Sequence, residues 1–140
     1  MVSIQITYKG ELRCEAIHGP SASTIVTDAP VDNQGKGQSF SPTDLCATAT
    51  GSCMATIMGI RARDLGIDLQ GMRINVDKIM SSDCPRCISK LVIHMDIPVN
   101  PDPEAKAALI DAAENCPMQH SLHPDIERCL SFSWGKNATP

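Results

Sequence analysis

Residues 41–66 constrain this chain more than any other stretch. Ser41-Pro42-Thr43-Asp44 combines an N-cap serine, a proline at the first helical position and an acid three residues after the cap. The signal predicts a helix from Pro42 to about Leu65, with Gly66 as its stop. Such a helix is about 36 Å long at the α-helical rise. Its centre, Ala47 to Thr56, consists almost wholly of small residues. Small side chains all round call for close neighbours on several sides. The expectation is a central helix around which sheets wrap.

The rest of the chain reads as strands and short helices. Val2, Ile4, Ile6 and Tyr8 alternate with polar residues, as a half-buried strand does. Lys9-Gly10 marks a turn, and Leu12, Cys14 and Ala16 resume the alternation, giving a hairpin. Gly19-Pro20 breaks it, and Ser23 to Thr27 is a candidate third strand. Asp28 to Phe40 is polar, carries Gly35 and Gly37, and is long enough to be a functional loop. Met72, Ile74 and Val76 form one strand; Leu91, Ile93, Met95 and Ile97 form another, beyond Cys84-Pro85-Arg86-Cys87. Asp102-Pro103 opens a helix whose apolar face runs from Ala105 to Cys116. Pro117 restarts a short helix ending near His123-Pro124, and Leu130, Phe132 and Trp134 alternate in a last strand. The order βββ-α-ββ-α-α-β shows no repeat and no regular βαβ unit, so the expected class is α+β with antiparallel sheets. Residues 1–135 are expected to form one domain and residues 136–140 a tail.

Composition narrows the function. At 140 residues the chain is one domain, or one subunit whose core a partner completes. A net charge of −4 argues against nucleic acid or anionic lipid as a partner. Aromatics are only 3%, so the core falls to Ile, Leu, Val, Ala and Met. Leu45 to Ile60 is too short, and too rich in Thr, Ser and Gly, to span a bilayer. The first residues alternate like a strand and lack a basic region followed by an apolar run. A cytoplasmic location is therefore expected.

Seven cysteines are many for this length, and the number is odd. Reduced thiols are expected rather than a disulfide framework. Cys53 lies midway along the long helix; Cys46, two turns earlier, points in nearly the same direction, and spacing alone does not choose between them. A lone helical cysteine is most often buried and inert. Cys116 ends one apolar face and precedes Pro117, where backbone N–H groups and the helix dipole are expected to lower its pKa. Cys84-x2-Cys87 has the spacing of half a zinc knuckle or of a dithiol motif, and Cys116-x3-His120-x2-His123 could add ligands. A second Cys-x2-Cys is missing, so no metal or cofactor is assigned. Cys116 and His120 also permit a Cys–His pair, but nothing in sequence orients the histidine. Asp44 caps its helix and could in addition anchor an arginine.

Ser41-Pro-Thr-Asp-Leu, Gly51-Ser-Cys-Met on the same helix, Pro85-Arg86 before a strand, and Asn115-Cys-Pro-Met together resemble the OsmC/Ohr family, the osmotically inducible and organic hydroperoxide resistance proteins. The resemblance implies an intertwined α+β homodimer with two central helices packed back to back and active sites at the subunit interface. It implies thiol-dependent reduction of hydroperoxides, with Cys53 peroxidatic, Cys116 resolving, and an external dithiol as reductant. Asp44 stands where the family carries its helix-start acid. An arginine from an N-terminal loop supports the thiolate in the best-studied branch; Arg13, the only arginine before the helix, lacks the matching local motif. The chain is closer to an OsmC-like branch, and a non-catalytic protein binding a small apolar or electrophilic ligand is the alternative. Cys14, Cys84, Cys87 and Cys129 match no catalytic position of the family.

Overall fold

The computed structural model describes residues 1–135, so the expected tail at 136–140 lies outside the described residues. Two compact units divide the chain, one from Met1 to Cys46 and one from Ala47 onward.

In the first unit, β1 (Ile4–Gly10), β2 (Arg13–His18) and β3 (Thr24–Asp28) form an antiparallel sheet in that order. The hairpin expected from the alternation is present, with Ile6 opposite Ala16 and Cys14 opposite Thr27. Its turn is Glu11-Leu12, two residues later than Lys9-Gly10. Glu11 and Leu12 both take positive φ, 49° and 62°, which matches the twist a tight hairpin requires. The half-buried reading of β1 is corrected. Ile4, Ile6 and Tyr8 are 60%, 66% and 64% exposed. Residues 29–40 form a loop with one 3₁₀ turn, Val31–Asn33. Gly35 is obligatory within it, since a Cβ there would sit 1.7 Å from the Ala29 carbonyl oxygen.

The long helix α1 (Pro42–Asp64) starts at the expected cap and stops one residue short of Leu65. The Asp44 N–H donates to Ser41 Oγ at 3.1 Å while Asp44 Oδ2 accepts from the Ser41 N–H at 2.7 Å. This reciprocal pair satisfies two of the N–H groups that a helix start otherwise leaves open. Ala47, Thr50, Gly51, Met54, Met58 and Ala62 make one buried stripe. Burial on every side is not seen in the single chain: Thr48, Ser52 and Thr56 face outward.

The second unit continues with β4 (Arg73–Met80), β5 (Ile88–Ile97), α2 (Pro103–Glu114), α3 (Pro117–Ser121) and β6 (Glu127–Trp134). Its sheet has the order β4-β5-β6, and here the expectation of antiparallel sheets without a βαβ unit fails. β4 and β5 are antiparallel, but β5 and β6 run parallel, Ile93 beside Leu130. The α2–α3 segment makes the crossover that a parallel pair requires. The class remains α+β, with one antiparallel and one mixed sheet. Leu91, Ile93, Met95 and Ile97 of β5, Met54 and Met58 of α1 and Leu109 of α2 are fully buried, the aliphatic and methionine core expected of a chain poor in rings. Among the described residues, no helix is long and apolar enough to cross a membrane.

Candidate active site

The helix stripe that buries Met54 leaves Cys53 half-buried beside it. Gly51 sets the approach of β4 to this turn. A Cβ there would lie 2.9 Å from Val76 Cγ2 and 3.3 Å from Ile74 Cγ2. Cys116 arrives from the other side of the sequence. Asn115 ends α2, its amide nitrogen donating to the Asp111 carbonyl at 3.0 Å and to Asp111 Oδ1 at 2.9 Å. Cys116 then takes extended geometry (φ −69°, ψ 152°), as a residue before proline does, and Pro117 starts α3. Its side chain is fully buried.

The fold brings these two cysteines together: their thiols lie within hydrogen-bonding reach of each other, although 62 positions separate them in sequence. The expected low pKa of Cys116 is corrected. Burial pushes the thiol above its ordinary value of 9.0; the N–H groups of Gln119 and Met118 pull the other way, and the neighbouring Cys53 pushes it up again. The helix-start donors that sequence pointed to are present, but desolvation outweighs them. α3 has only five residues, too few for much of a dipole. Arg128 Nη1 on β6 donates to the Gln119 carbonyl oxygen at 3.1 Å and tethers α3 one turn from the thiol, a contact that the sequence reading missed.

Asp44 and Arg13, the other two site residues expected from sequence, are in the first unit. Asp44 serves as a reciprocal cap with Ser41. Arg13 opens β2, and its guanidinium bonds Asp28 Oδ2 at 3.4 Å and the Gln38 side chain. The Asp28 side chain is fully buried. Its carboxyl is held below the ordinary 3.8, chiefly by the Gln38 N–H at 2.8 Å and then by Arg13. Sequence reasoning did not find Asp28, since one acid at a strand end carries no pattern.

All seven cysteines are thiols. Cys84 and Cys87 are exposed on the β4–β5 connection, and Cys129 donates to Glu127 Oε1 at 3.3 Å. Among the described residues, no three His, Cys, Asp or Glu side chains are grouped to hold a metal ion. A groove of about 650 Å³, lined by Gly59, Arg63, Ile67, Leu69 and Met72 among others, includes neither Cys53 nor Cys116.

The family profile described as OsmC-like protein matches residues 35–128. A crystal structure from Psychrobacter arcticus 273-4, named for osmotic stress induction and detoxification, is 45% identical with a TM-score of 0.90, over 95% of this chain and 96% of that one. An organic hydroperoxide resistance protein from Legionella pneumophila shares the fold at 17% identity and a TM-score of 0.76, over 95% and 96%. Another organic hydroperoxide resistance protein, from Elizabethkingia anophelis with thiocyanate bound, is 15% identical with a TM-score of 0.77, over 96% of both chains. A search of the curated proteins finds no match.

Proposed function

Because this chain belongs to the OsmC-like family, we propose that it is a thiol-dependent peroxidase that reduces organic hydroperoxides through Cys53, with Cys116 as the resolving cysteine. The observation that carries the reading is the meeting of these two thiols, one half-buried and one fully buried. Thiolate, not thiol, attacks peroxide. Burial raises the Cys116 thiol and closes it off from solvent, while Cys53 stays half-open to an incoming peroxide, which favours Cys53 for the first step.

In that step the Cys53 thiolate bonds to the distal peroxide oxygen, the O–O bond breaks, and the alkoxide leaves as alcohol after taking a proton. Cys53 is then a sulfenic acid. The Cys116 sulfur displaces its hydroxyl, the S–H proton departs in water, and a disulfide remains. An external dithiol restores both thiols by exchange, itself becoming a disulfide. A resolving thiol held in contact keeps the sulfenic acid from climbing to irreversible oxidation states. Arg13 and Asp44 enter as proposed supports, and the working form is proposed to be an intertwined homodimer in a reducing, cytoplasmic setting.

One observation favours a second reading, a protein that binds a small apolar or electrophilic ligand without turnover: Arg13 is already engaged by Asp28 and Gln38. Cumene hydroperoxide with dithiothreitol separates the two. Sustained turnover supports the peroxidase. Stoichiometric loss of thiols that then stops supports the binder.

A further inference from the structure

We propose that Cys84 and Cys87 form a second redox site, a surface dithiol that reduces external disulfides by thiol–disulfide exchange, independently of Cys53 and Cys116. Strands β4 and β5 end their pairing at Met80 and Ile88, so residues 81–87 form one short loop. Its base is fastened. The Ser81 N–H donates to the Cys87 carbonyl oxygen at 2.8 Å, and the Cys87 N–H donates to Ser81 Oγ at 3.0 Å. Cys87 is therefore held in place on the backbone side while its thiol stays exposed, and Cys84 is exposed at the middle of the same loop.

Of the seven cysteines, only these two are exposed; Cys14, Cys46, Cys53 and Cys129 are half-buried and Cys116 is buried. A bulky disulfide reaches this pair before any other. Three residues of chain cannot separate the two Cα atoms by more than about 11 Å. Disulfide closure needs them within about 7 Å, a modest adjustment for an exposed loop. With no third ligand grouped at the pair among the described residues, redox chemistry fits the site better than zinc.

The local contacts assign an order of attack. The Cys87 thiol lies 3.6 Å from Ser81 Oγ. That hydroxyl donates to the Asp83 carbonyl oxygen at 3.2 Å, so Ser81 fixes Cys87 as the stationary thiol that meets the external disulfide, and Cys84, in the middle of the loop, closes on it. Cys87 attacks one sulfur of the external disulfide and expels the other as a thiolate, giving a mixed disulfide. Cys84 then attacks the Cys87 sulfur, the second external thiol leaves, and the Cys84–Cys87 disulfide closes. Two electrons pass from the loop to the external disulfide, which ends as two thiols.

The test uses the full reduced chain, oxidised glutathione and no peroxide, so it does not depend on peroxidase activity. Acid-quenched peptide mapping should show the Cys84–Cys87 disulfide as the first protein disulfide, with two glutathione thiols released. Cys84→Ser should stall with glutathione on Cys87, and Cys87→Ser should lose the reaction at the loop. Both substitutions are on the surface and leave the core intact. Stable glutathione adducts on both cysteines of the unmodified chain, a first disulfide formed elsewhere, or a Cys84→Ser chain with no adduct on Cys87 would each overturn the proposal.

Discussion

At the scale of single residues, two buried groups are shifted from their ordinary pKa values in opposite directions. Cys116 is raised and Asp28 lowered, each for a cause that local sequence does not carry. The cysteine assignment predicts distinct failures. Cys53→Ser should consume no hydroperoxide. Cys116→Ser should stop at a sulfenic acid on Cys53, trapped by dimedone, and go on to sulfinic acid under excess peroxide. Mass spectrometry of the labelled peptides checks both; equal loss of peroxide consumption with no trapped sulfenic acid in the Cys116 variant would contradict a resolving role. Asp28 makes a pH prediction. Its folded pKa is below the ordinary 3.8, so its contribution to stability is present above that value and is lost as pH falls through the folded pKa. Asp28→Asn should therefore be less stable near neutrality yet lose less stability between about pH 5 and pH 2. Urea melts across that range decide it, and parallel curves for the two chains would remove Asp28 as a source of acid sensitivity.

At the scale of elements, what could be read from sequence was what is local. The α1 start was legible because Ser41, Pro42 and Asp44 each have one job at a helix N-terminus, and the bonds between Ser41 and Asp44 are those jobs performed. The β1–β2 hairpin was legible from alternation around a short turn. The parallel pairing of β5 with β6 was not, because it joins strands across the α2–α3 crossover and no periodicity within either strand records the partner's direction. The meeting of Cys53 and Cys116 was legible only through the family resemblance; neither helix alone encodes it. Gly51 offers an element-scale test. Its missing Cβ lets Val76 and Ile74 pack against α1. Gly51→Leu gains helix propensity of about 1 kcal/mol. Overpacking a close contact costs about 1–3 kcal/mol, and more when stiff β-branched neighbours cannot turn away. The crowding should win, and the urea midpoint should fall. An unchanged or raised midpoint would mean that β4 yields freely, and that the glycine is not what sets its approach to the turn carrying Cys53.

At the scale of the whole molecule, the first sheet presents a problem that a single chain does not solve. Ile6, Ala16 and Ile25 are successive cross-strand neighbours, so they share one face, and Ile4 and Tyr8 extend it along β1. Ile4, Ile6, Tyr8 and Ile25 are all more than 45% exposed. Isolated apolar residues on a surface need no explanation, but a contiguous patch of this kind marks an interface. The outward small residues of α1, Thr48, Ser52 and Thr56, likewise have no cover in the single chain. We propose that a second copy supplies the cover with no new component, since closed two-fold pairing is the commonest arrangement among soluble oligomers. Sedimentation at micromolar concentration should then give twice the 15.0 kDa of the chain. Ile6→Lys places a charge in the middle of the patch, where burial would leave it unpaired, and should shift the equilibrium toward monomer. Its position is already exposed within the chain, so loss of the partner rather than loss of the fold is the direct effect, and circular dichroism at the same concentration distinguishes them. A folded 15.0 kDa monomer in the unsubstituted chain would show that this face stays open to water, and that the burial of β1 promised by its alternation belongs to some other partner.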